Sequence, residues 1–522
     1  MTRSRTHHTG TPGRIVFVGA GPGDPGLLTA RASAALATAD LVLVDADVSS
    51  EVVAAVTEAH PGTELKPTAG EPAEVARTAV AAAKTGSVVV RLVAGDPFTT
   101  DAVVKEVLAV TRTSIAFDVV PGVAVGTGVP AYAGVALGGS ATFADLRGSD
   151  SPAADVAALA AAAHGTGGPL VLQTGAAELP QLAADLVAGG LPGSTPIVVT
   201  TAGSSTDQHS TAVKLTAVAE KTAGLDSLTG TVVATVGSVV DKRSKLSWWE
   251  SRPLFGWRVL VPRTKEQAGD MSDRLRAYGA VPVEVPTIAV EPPRSPAQMD
   301  RAVKGLVTGR YGWIVFTSTN AVRAVREKFT ELGLDARAFA GVKVACVGEQ
   351  TAAAVREFGI VPELVPAGEQ SSEGLLVDFP PYDDVFDPID RVLLPRADIA
   401  TETLAAGLKE RGWEIDDVTA YRTVRAAPPA ASVREAIKGG GFDAVCFTSS
   451  STVRNLVGIA GKPHARTVVS VIGPATAASA TEFGLRVDVQ PETAAVGPLV
   501  DALAAFAEAR RAAQAEGDGA GS

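Results

Sequence analysis

The second half of the chain is written twice. The stretch WRVLVPRTKEQAGDMSDRLRAYGA returns as DRVLLPRADIATETLAAGLKERGW, so that Arg263 matches Arg396 at a distance of 133 residues. FTSTNAVRAV returns as FTSSSTVRNL, with Phe316 matched to Phe447, 131 residues on. VGEQTAAAVREFGIVPELVP returns as IGPATAASATEFGLRVDVQP, with Gly348 matched to Gly473, 125 residues on. A repeat this long means one α/β unit used twice. After its first strand and helix, one copy runs into VEVPTIAVEPP and the other into DDVTAYRTVRAAPP. Both are extended, proline-ended segments, suited to two strands that cross between lobes. The reading is one lobe from 257–290 plus 424–505, a second from 294–418, and a cleft where the chain crosses twice.

Each copy ends one strand in Phe-Thr-Ser and another in a glycine followed by a threonine: Thr317, Ser318, Gly348 and Thr351, then Thr448, Ser449, Gly473 and Thr476. Hydroxyls and backbone N–H groups at the start of helices make sites for anions, and strand C-termini are where open α/β sheets bind ligands. With Arg263 and Arg396 beside them, two such crowns suit a ligand bearing many carboxylates. Taken singly, each Ser or Thr serves equally well as a helix N-cap.

From residue 14 to about 241, strand-like runs (RIVFVG, DLVLVD, SVVVRLVAG, PLVLQTG, TPIVVTTAG, TVVATVGSVV) alternate with Ala-rich helical stretches. That alternation predicts a parallel α/β architecture. The first strand opens into VGAGPGDPGLLTA, which departs from the dinucleotide pattern G-x-G-x-x-G. Asp24 stands where the third glycine would be, and Pro22 and Pro25 remove two N–H donors that a phosphate would need. The loop suits a ligand without phosphate. Residues 246–256, with a Trp-Trp pair and a Pro-Leu-Phe-Gly step, read as a linker that packs down by its aromatics rather than a loose one.

A formal net charge of −11 argues against nucleic acid or an acidic membrane surface as the main partner. Cys346 and Cys446 lie in apolar strand-like runs and read as buried free thiols. The six histidines show no metal-ligand spacing, so no metal is expected. The basic arm 1–13 lacks an apolar segment and is expected to be disordered, and 506–522 reads as a solvated tail after a final helix. No apolar run approaches the roughly 18 residues of a membrane span; the expectation is a soluble cytoplasmic protein with no membrane partner.

With these motifs in place, VLVPRTKEQA, YGWIVFTSTNAV, VGEQTAAAVREFG, AYRT and IGPATAASATEFG resemble the uroporphyrinogen-III synthase family over about 257–505. The resemblance implies two flavodoxin-like domains joined by a two-strand ladder. It also implies cyclisation of hydroxymethylbilane, a linear tetrapyrrole with eight carboxylates, with inversion of its last ring and no cofactor. Tyr421, in AYRT, matches the family's tyrosine and is the candidate proton donor; a tyrosine packed with its hydroxyl on backbone is the alternative. Arg422 is a further candidate carboxylate clamp.

The first half resembles the tetrapyrrole methylases, specifically uroporphyrinogen-III C-methyltransferase, over about 14–245. VGAGPGDPGLLT carries the resemblance, with ADLVLVDADVSSE, VVVRLVAGDPF, VVPGVAVGTGVPAYAGVAL and VGSVVDKRSKLSWWESRPLFG. It implies a fold of two α/β subdomains, often in a homodimer, with S-adenosylmethionine between them. Pro22 matches a position lying against that cofactor, Gly95 and Asp96 match positions holding its amino-acid end, and Gly203 a position near its adenine. Thr174 stands where the family has a cofactor-contacting methionine. Asp45 matches an aspartate proposed as a base, and reads equally as a polar strand end. Ala94 replaces a glycine, TTDAVVKE the run FGRGGEE, Ala124-Val125 a Thr-Ser pair, and Leu137-Gly-Gly-Ser140 a Leu-Thr-His-Arg, and Lys66 only loosely stands for a family lysine. The implied protein is a synthase fused to a methylase that makes precorrin-2, for the haem, cobalamin or sirohaem branch. The alternatives are an active synthase beside a methylase domain that only binds, or a non-catalytic tetrapyrrole sensor.

Overall fold

The computed structural model describes residues 13–147, 152–221, 231–263, 265–399 and 402–519. The basic arm, apart from Gly13, lies outside them. The chain divides into two compact units. One holds the residues up to Trp257, Arg274–Val281 and the residues from Ala504 on; the other holds Arg258–Asp273 and Pro282–Leu503.

The first unit contains two sheets. Strands β1 (Arg14–Gly19), β2 (Leu41–Val44), β3 (Glu64–Pro67), β4 (Val88–Val93) and β5 (Ala116–Val120) form a parallel sheet of order β3-β2-β4-β1-β5. β1, β2 and β4 are buried almost throughout, which is why they read as unbroken apolar runs rather than alternating ones. Where β1 and β4 end, Gly21 and Gly95 exchange backbone hydrogen bonds (3.2 and 2.8 Å). Both have φ near +70°, a conformation that only glycine adopts without strain.

The second sheet joins β6 (Thr142–Asp145), β7 (Leu170–Gly175), β8 (Pro196–Thr201), β9 (His209–Lys214) and β10 (Thr231–Val236) in the order β6-β7-β10-β8-β9. It corrects the expectation of parallel pairing throughout. β10 runs antiparallel to both β7 and β8, and β8 antiparallel to β9. The short loop from β8 to β9 forces that pair. TVVATV, buried on both faces, looks the same from sequence in either direction.

The linker packs down through its aromatic pair. Trp248 Nε1 donates to the Ala131 carbonyl and Trp249 Nε1 to that of Ser205, each at 2.9 Å. Both rings lie against Tyr132, and the Arg252 guanidinium sits 4.2 Å from the Trp249 ring centre. Of the residues expected as a tail, 506–519 belong to the last helix, Val496–Gly519. AFAEARRAAQAE consists mainly of strong helix formers, and Arg511 anchors it through the carbonyls of Ser251, Arg252 and Pro253 (3.0–3.2 Å).

In the second unit, β11 (Arg258–Val261) and β12 (Val281–Glu284) belong to a sheet of order β12-β11-β18-β19, completed by the second copy's β18 (Ala444–Phe447) and β19 (Val468–Val471). The other sheet is β13-β17-β16-β14-β15, from β13 (Ile288–Glu291), β14 (Trp313–Phe316), β15 (Lys343–Cys346), β16 (Arg391–Ala397) and β17 (Glu414–Arg425). The first part of β17 pairs parallel with β16; its far end pairs antiparallel with β13, Ile288 opposite Arg425 and Glu291 opposite Arg422. This is the two-strand ladder. It is continuous with the second lobe's sheet, so β17 runs unbroken through 418–424, where the sequence reading divided the lobes.

Candidate active sites

In the first unit a cavity of about 450 Å³ opens where the C-terminal ends of β2 and β4 face the loop after β8 and the start of β10. Pro22, Asp45 and Gly203 line it, so three of the expected residues share one wall system. Neither loop leaves room for a Cβ at its glycine. A Cβ on Gly23 would lie 2.5 Å from the Gly203 carbonyl oxygen, and one on Gly203 would lie 2.5 Å from a Val129 methyl. The Ala202-Gly203-Ser204 turn is strained, with φ +47° at Ala202 and +63° at Ser204. Gln208 holds it, its Oε1 accepting from the Ser204 N–H at 2.7 Å.

Asp24 has a structural part. Its carboxylate accepts from the Gly26 N–H (2.7 Å) and from the Tyr132 hydroxyl (2.7 Å), fixing the opening loop in shape. Burial, and then the Asp24 carboxylate, push the Tyr132 pKa well up. Asp96 is similarly occupied, with the Phe98 N–H on one oxygen (2.9 Å) and the Gly122 N–H on the other (3.0 Å). Gly95 and Asp96 shape the loop that closes the cavity and do not line it; their neighbour Ala94 does. Thr174 is not a wall residue either. Gln173, one position earlier, faces the cavity, and strand alternation sends Thr174 to the opposite, buried face.

Asp45 is tied. Arg91 Nη2 donates to its Oδ2 at 2.6 Å, and the same guanidinium forks onto Glu106 at 2.8 and 3.0 Å. Arg91 and Glu106 are buried. Burial pulls the Arg91 pKa down, and the two carboxylates more than restore it. Arg147, which the sequence reading passed over, contributes a second such group. It donates to both Asp145 oxygens (2.8 and 2.6 Å), to Asp47 and to Thr231. Among the described residues the lining therefore offers Asp45, Asp47, Glu51 and Asp207 against one cation, Arg147, that is already engaged.

In the second unit a cavity of about 550 Å³ lies along the ladder, between Pro286–Pro296 and the helix Thr319–Leu332. Tyr421 is on its wall. The Tyr421 hydroxyl is 2.9 Å from Ser318 Oγ, which accepts the Ala321 N–H at 3.2 Å as N-cap of that helix. Arg422 is committed to Glu291 (2.6 Å) and the Pro292 carbonyl (3.2 Å).

The remaining candidates sit at strand ends leading into helices, as read. Ser318, Gly348, Ser449 and Gly473 are all N-caps. β14 and β15 are paired neighbours, as are β18 and β19, so each lobe presents two adjacent helix starts. Thr317 and Thr448 directly precede two of these caps, whereas Thr351 and Thr476 are buried one turn in. The two arginines differ. Arg396 is buried and bonded to Asp417 (Nε at 2.8 Å, with Nη2 on the other oxygen) and Glu402 (2.9 Å), so it is not available as an open carboxylate clamp in this conformation. Arg263 is half-buried; desolvation lowers its pKa and Asp270 partly offsets that.

A family model described as tetrapyrrole (corrin/porphyrin) methylases matches residues 14–219, and one described as uroporphyrinogen-III synthase HemD matches residues 269–501. The porphyrin biosynthesis protein HemD of Ruminiclostridium josui is 29% identical over 502 residues, covering 94% of this chain and 97% of that protein. A uroporphyrinogen-III C-methyltransferase of Bacillus subtilis is 28% identical over 380 residues, 70% of this chain and 75% of that one. A uroporphyrinogen-III synthase of Synechococcus elongatus is 27% identical over 269 residues, 49% of this chain and 97% of that one. The chain is a tetrapyrrole methylase domain, residues 14–219, fused to a uroporphyrinogen-III synthase domain, residues 269–501.

Proposed function

We propose that the second half cyclises hydroxymethylbilane to uroporphyrinogen III, with Tyr421 as the acid. The observation that carries this is the Tyr421 hydroxyl on the wall of the ladder cavity, held by Ser318 rather than by backbone. Protonation of the leaving hydroxyl lets its C–O bond break with the electron pair going to oxygen, and a pyrrole nitrogen stabilises the cation left behind. The protein then folds a flexible chain so that the inverted ring closes, an orientation task rather than a covalent one. The paired helix starts of each lobe, with Arg263, suit the substrate's carboxylates.

For the first half we propose an S-adenosylmethionine site in the acidic cavity, with Pro22 and Gly203 as walls. The group would supply a methyl. The residues present fit it: a cationic sulfonium without phosphate suits a cavity lined by Asp45, Asp47, Glu51 and Asp207. Methylation of uroporphyrinogen III to precorrin-2 is the full reading. A second reading, in which this half binds the cofactor without methylating an octacarboxylate, is favoured by the engagement of Arg147 with Asp145 and Asp47, which leaves no open cation among the described lining residues. In a homodimer a partner copy could supply such cations, and the oligomeric state belongs to the same proposal.

One anaerobic incubation of the purified chain with hydroxymethylbilane and labelled S-adenosylmethionine tests both halves. Type III isomer with two labels supports both activities; unlabelled type III isomer supports the second reading. Only the type I isomer, the product of spontaneous closure, would refute the synthase and favour a sensor.

A further inference from the structure

We propose that Ser318 is a positioning residue for the proposed acid Tyr421, not a contact for substrate carboxylate. This rests on the reading of Tyr421 as proton donor. Tyr421 lines the ladder cavity; Ser318 does not, and stands behind it. One acceptor site of Ser318 Oγ is filled by the Ala321 N–H at 3.2 Å, so its own O–H is free to point at the Tyr421 oxygen 2.9 Å away. That orientation turns the tyrosine proton outward, toward the cavity. When the proton passes to the leaving hydroxyl and the C–O bond breaks, the phenolate left behind keeps the Ser318 O–H as a donor, beside the positive end of the helix Thr319–Leu332. The proton released later, as the ring-closing carbon regains its aromatic pyrrole, returns to the phenolate. One water leaves per turnover and the residues end as they began.

The repeat supplies an internal comparison. Ser449 is the same position in the second copy, and it too caps a helix. Its hydrogen bonds are local: the Thr452 N–H at 3.2 Å and Ser451 Oγ at 2.9 Å. Ser318 alone of the two reaches across 103 residues of sequence to a side chain on the ladder. Capping therefore accounts for Ser449 but not for the geometry of Ser318.

The test is steady-state kinetics of the full chain on hydroxymethylbilane with Y421F, S318G and S318T, each checked for an unchanged melting temperature. Glycine is nearly as good an N-cap as serine, so S318G removes the hydroxyl while sparing the helix. We expect Y421F to lower kcat by about 10²–10⁴-fold, the range for a lost general acid. S318G should lower kcat roughly tenfold or more with KM little changed, and S318T should restore it to within a few-fold. If Y421F is as active as the parent, the acid assignment and this proposal fall together. If Y421F is impaired but S318G is not, Ser318 is only a cap and this proposal alone falls. A raised KM with intact kcat in S318G, or failure of S318T to restore rate, overturns it as well.

Discussion

Replacing Glu106 with alanine isolates the buried ion network beneath the methylase cavity. Arg91 stands in the middle of β4, in the otherwise apolar run VVVRLV, with its side chain 3% exposed. Four of its five N–H donors are engaged: Glu106 takes Nε and Nη2, Asp45 takes Nη2, and the Leu92 carbonyl takes Nη1 at 3.2 Å. Glu106 is as deeply buried, at 4%, whereas Asp45 is 27% exposed and partly solvated. E106A thus leaves a guanidinium in the core with one carboxylate, itself partly solvated, and the Leu92 carbonyl. Removing one partner of a buried pair costs about 3–5 kcal/mol; Asp45 remains, so the low end, about 3 kcal/mol, is the expected value. At roughly 2–4 °C per kcal/mol for a unit of this size, the first unit should melt about 6–12 °C lower.

The reasoning has a sharper arm. If the penalty comes from a stranded charge rather than lost packing, removing both charges should recover it, and R91M/E106L should be near neutral or stabilising. Urea-dependent hydrogen exchange of peptides from β1 and β4 reads the unit directly, without assuming that the whole chain unfolds in one step. E106A within about 1 kcal/mol of the parent, or a double variant as damaged as the single one, would refute the account.

Two further outcomes follow from buried groups. Desolvation pushes the thiol pKa of both Cys346 and Cys446 up to about 12, so neither should react with iodoacetamide near pH 8 until the chain is unfolded, when both should label. A folded pKa above the unfolded value of roughly 8.5 stabilises fully below that value and is lost as pH rises toward 12, so urea midpoints should fall over that interval and less so in a C346A/C446A chain. The two repeat arginines should separate in kinetics: R263A should raise KM for hydroxymethylbilane with little change in melting temperature. R396A should lower the melting temperature instead, since it empties the space of a buried side chain and breaks its bonds to Asp417 and Glu402; equal effects of the two substitutions would contradict their different surroundings.

Much of this architecture could be read from residues alone because it rests on patterns that survive burial. The repeat, the proline-ended crossing segments and the buried cysteines belong to that class. Orientation of β10 does not, since a strand apolar on both faces carries no direction. β6 (TFAD) and β9 (HSTAVK) are edge strands of the second sheet, with too few apolar residues to announce themselves. Thr174 was placed on the cavity by matching a family position, and the strand's two-residue period puts Gln173 there instead. The Arg91 network did leave a signal: a single arginine inside VVVRLV needs a buried acid, and Glu106 follows on the next helix, Asp101–Val110. Arg147 left none, for FADLR gives no hint that Asp47, a hundred residues earlier, shares its guanidinium.

The arginines also show why a repeat cannot be read as two copies of one site. Arg263 and Arg396 occupy the same place in PR motifs 133 residues apart, and at the same spacing Glu284 matches Asp417 and Ser272 matches Ala405. In the second copy Ala405 offers the acid nothing, and Asp417, on the strand beside β16, closes on Arg396. In the first, the buried Ser272 hydroxyl donates to Glu284 at 2.7 Å. The acid that would have claimed Arg263 is thereby held elsewhere. The hydroxyl present in one copy and absent in the other thus goes with the different pairing of the two acids, Glu284 with Ser272 and Asp417 with Arg396. Ser318 and Ser449 diverge on the same principle, because only the first copy has a tyrosine of the ladder within reach. The duplicated fold supplies two equivalent sets of strand ends, and single polar side chains on neighbouring elements assign them unequal work.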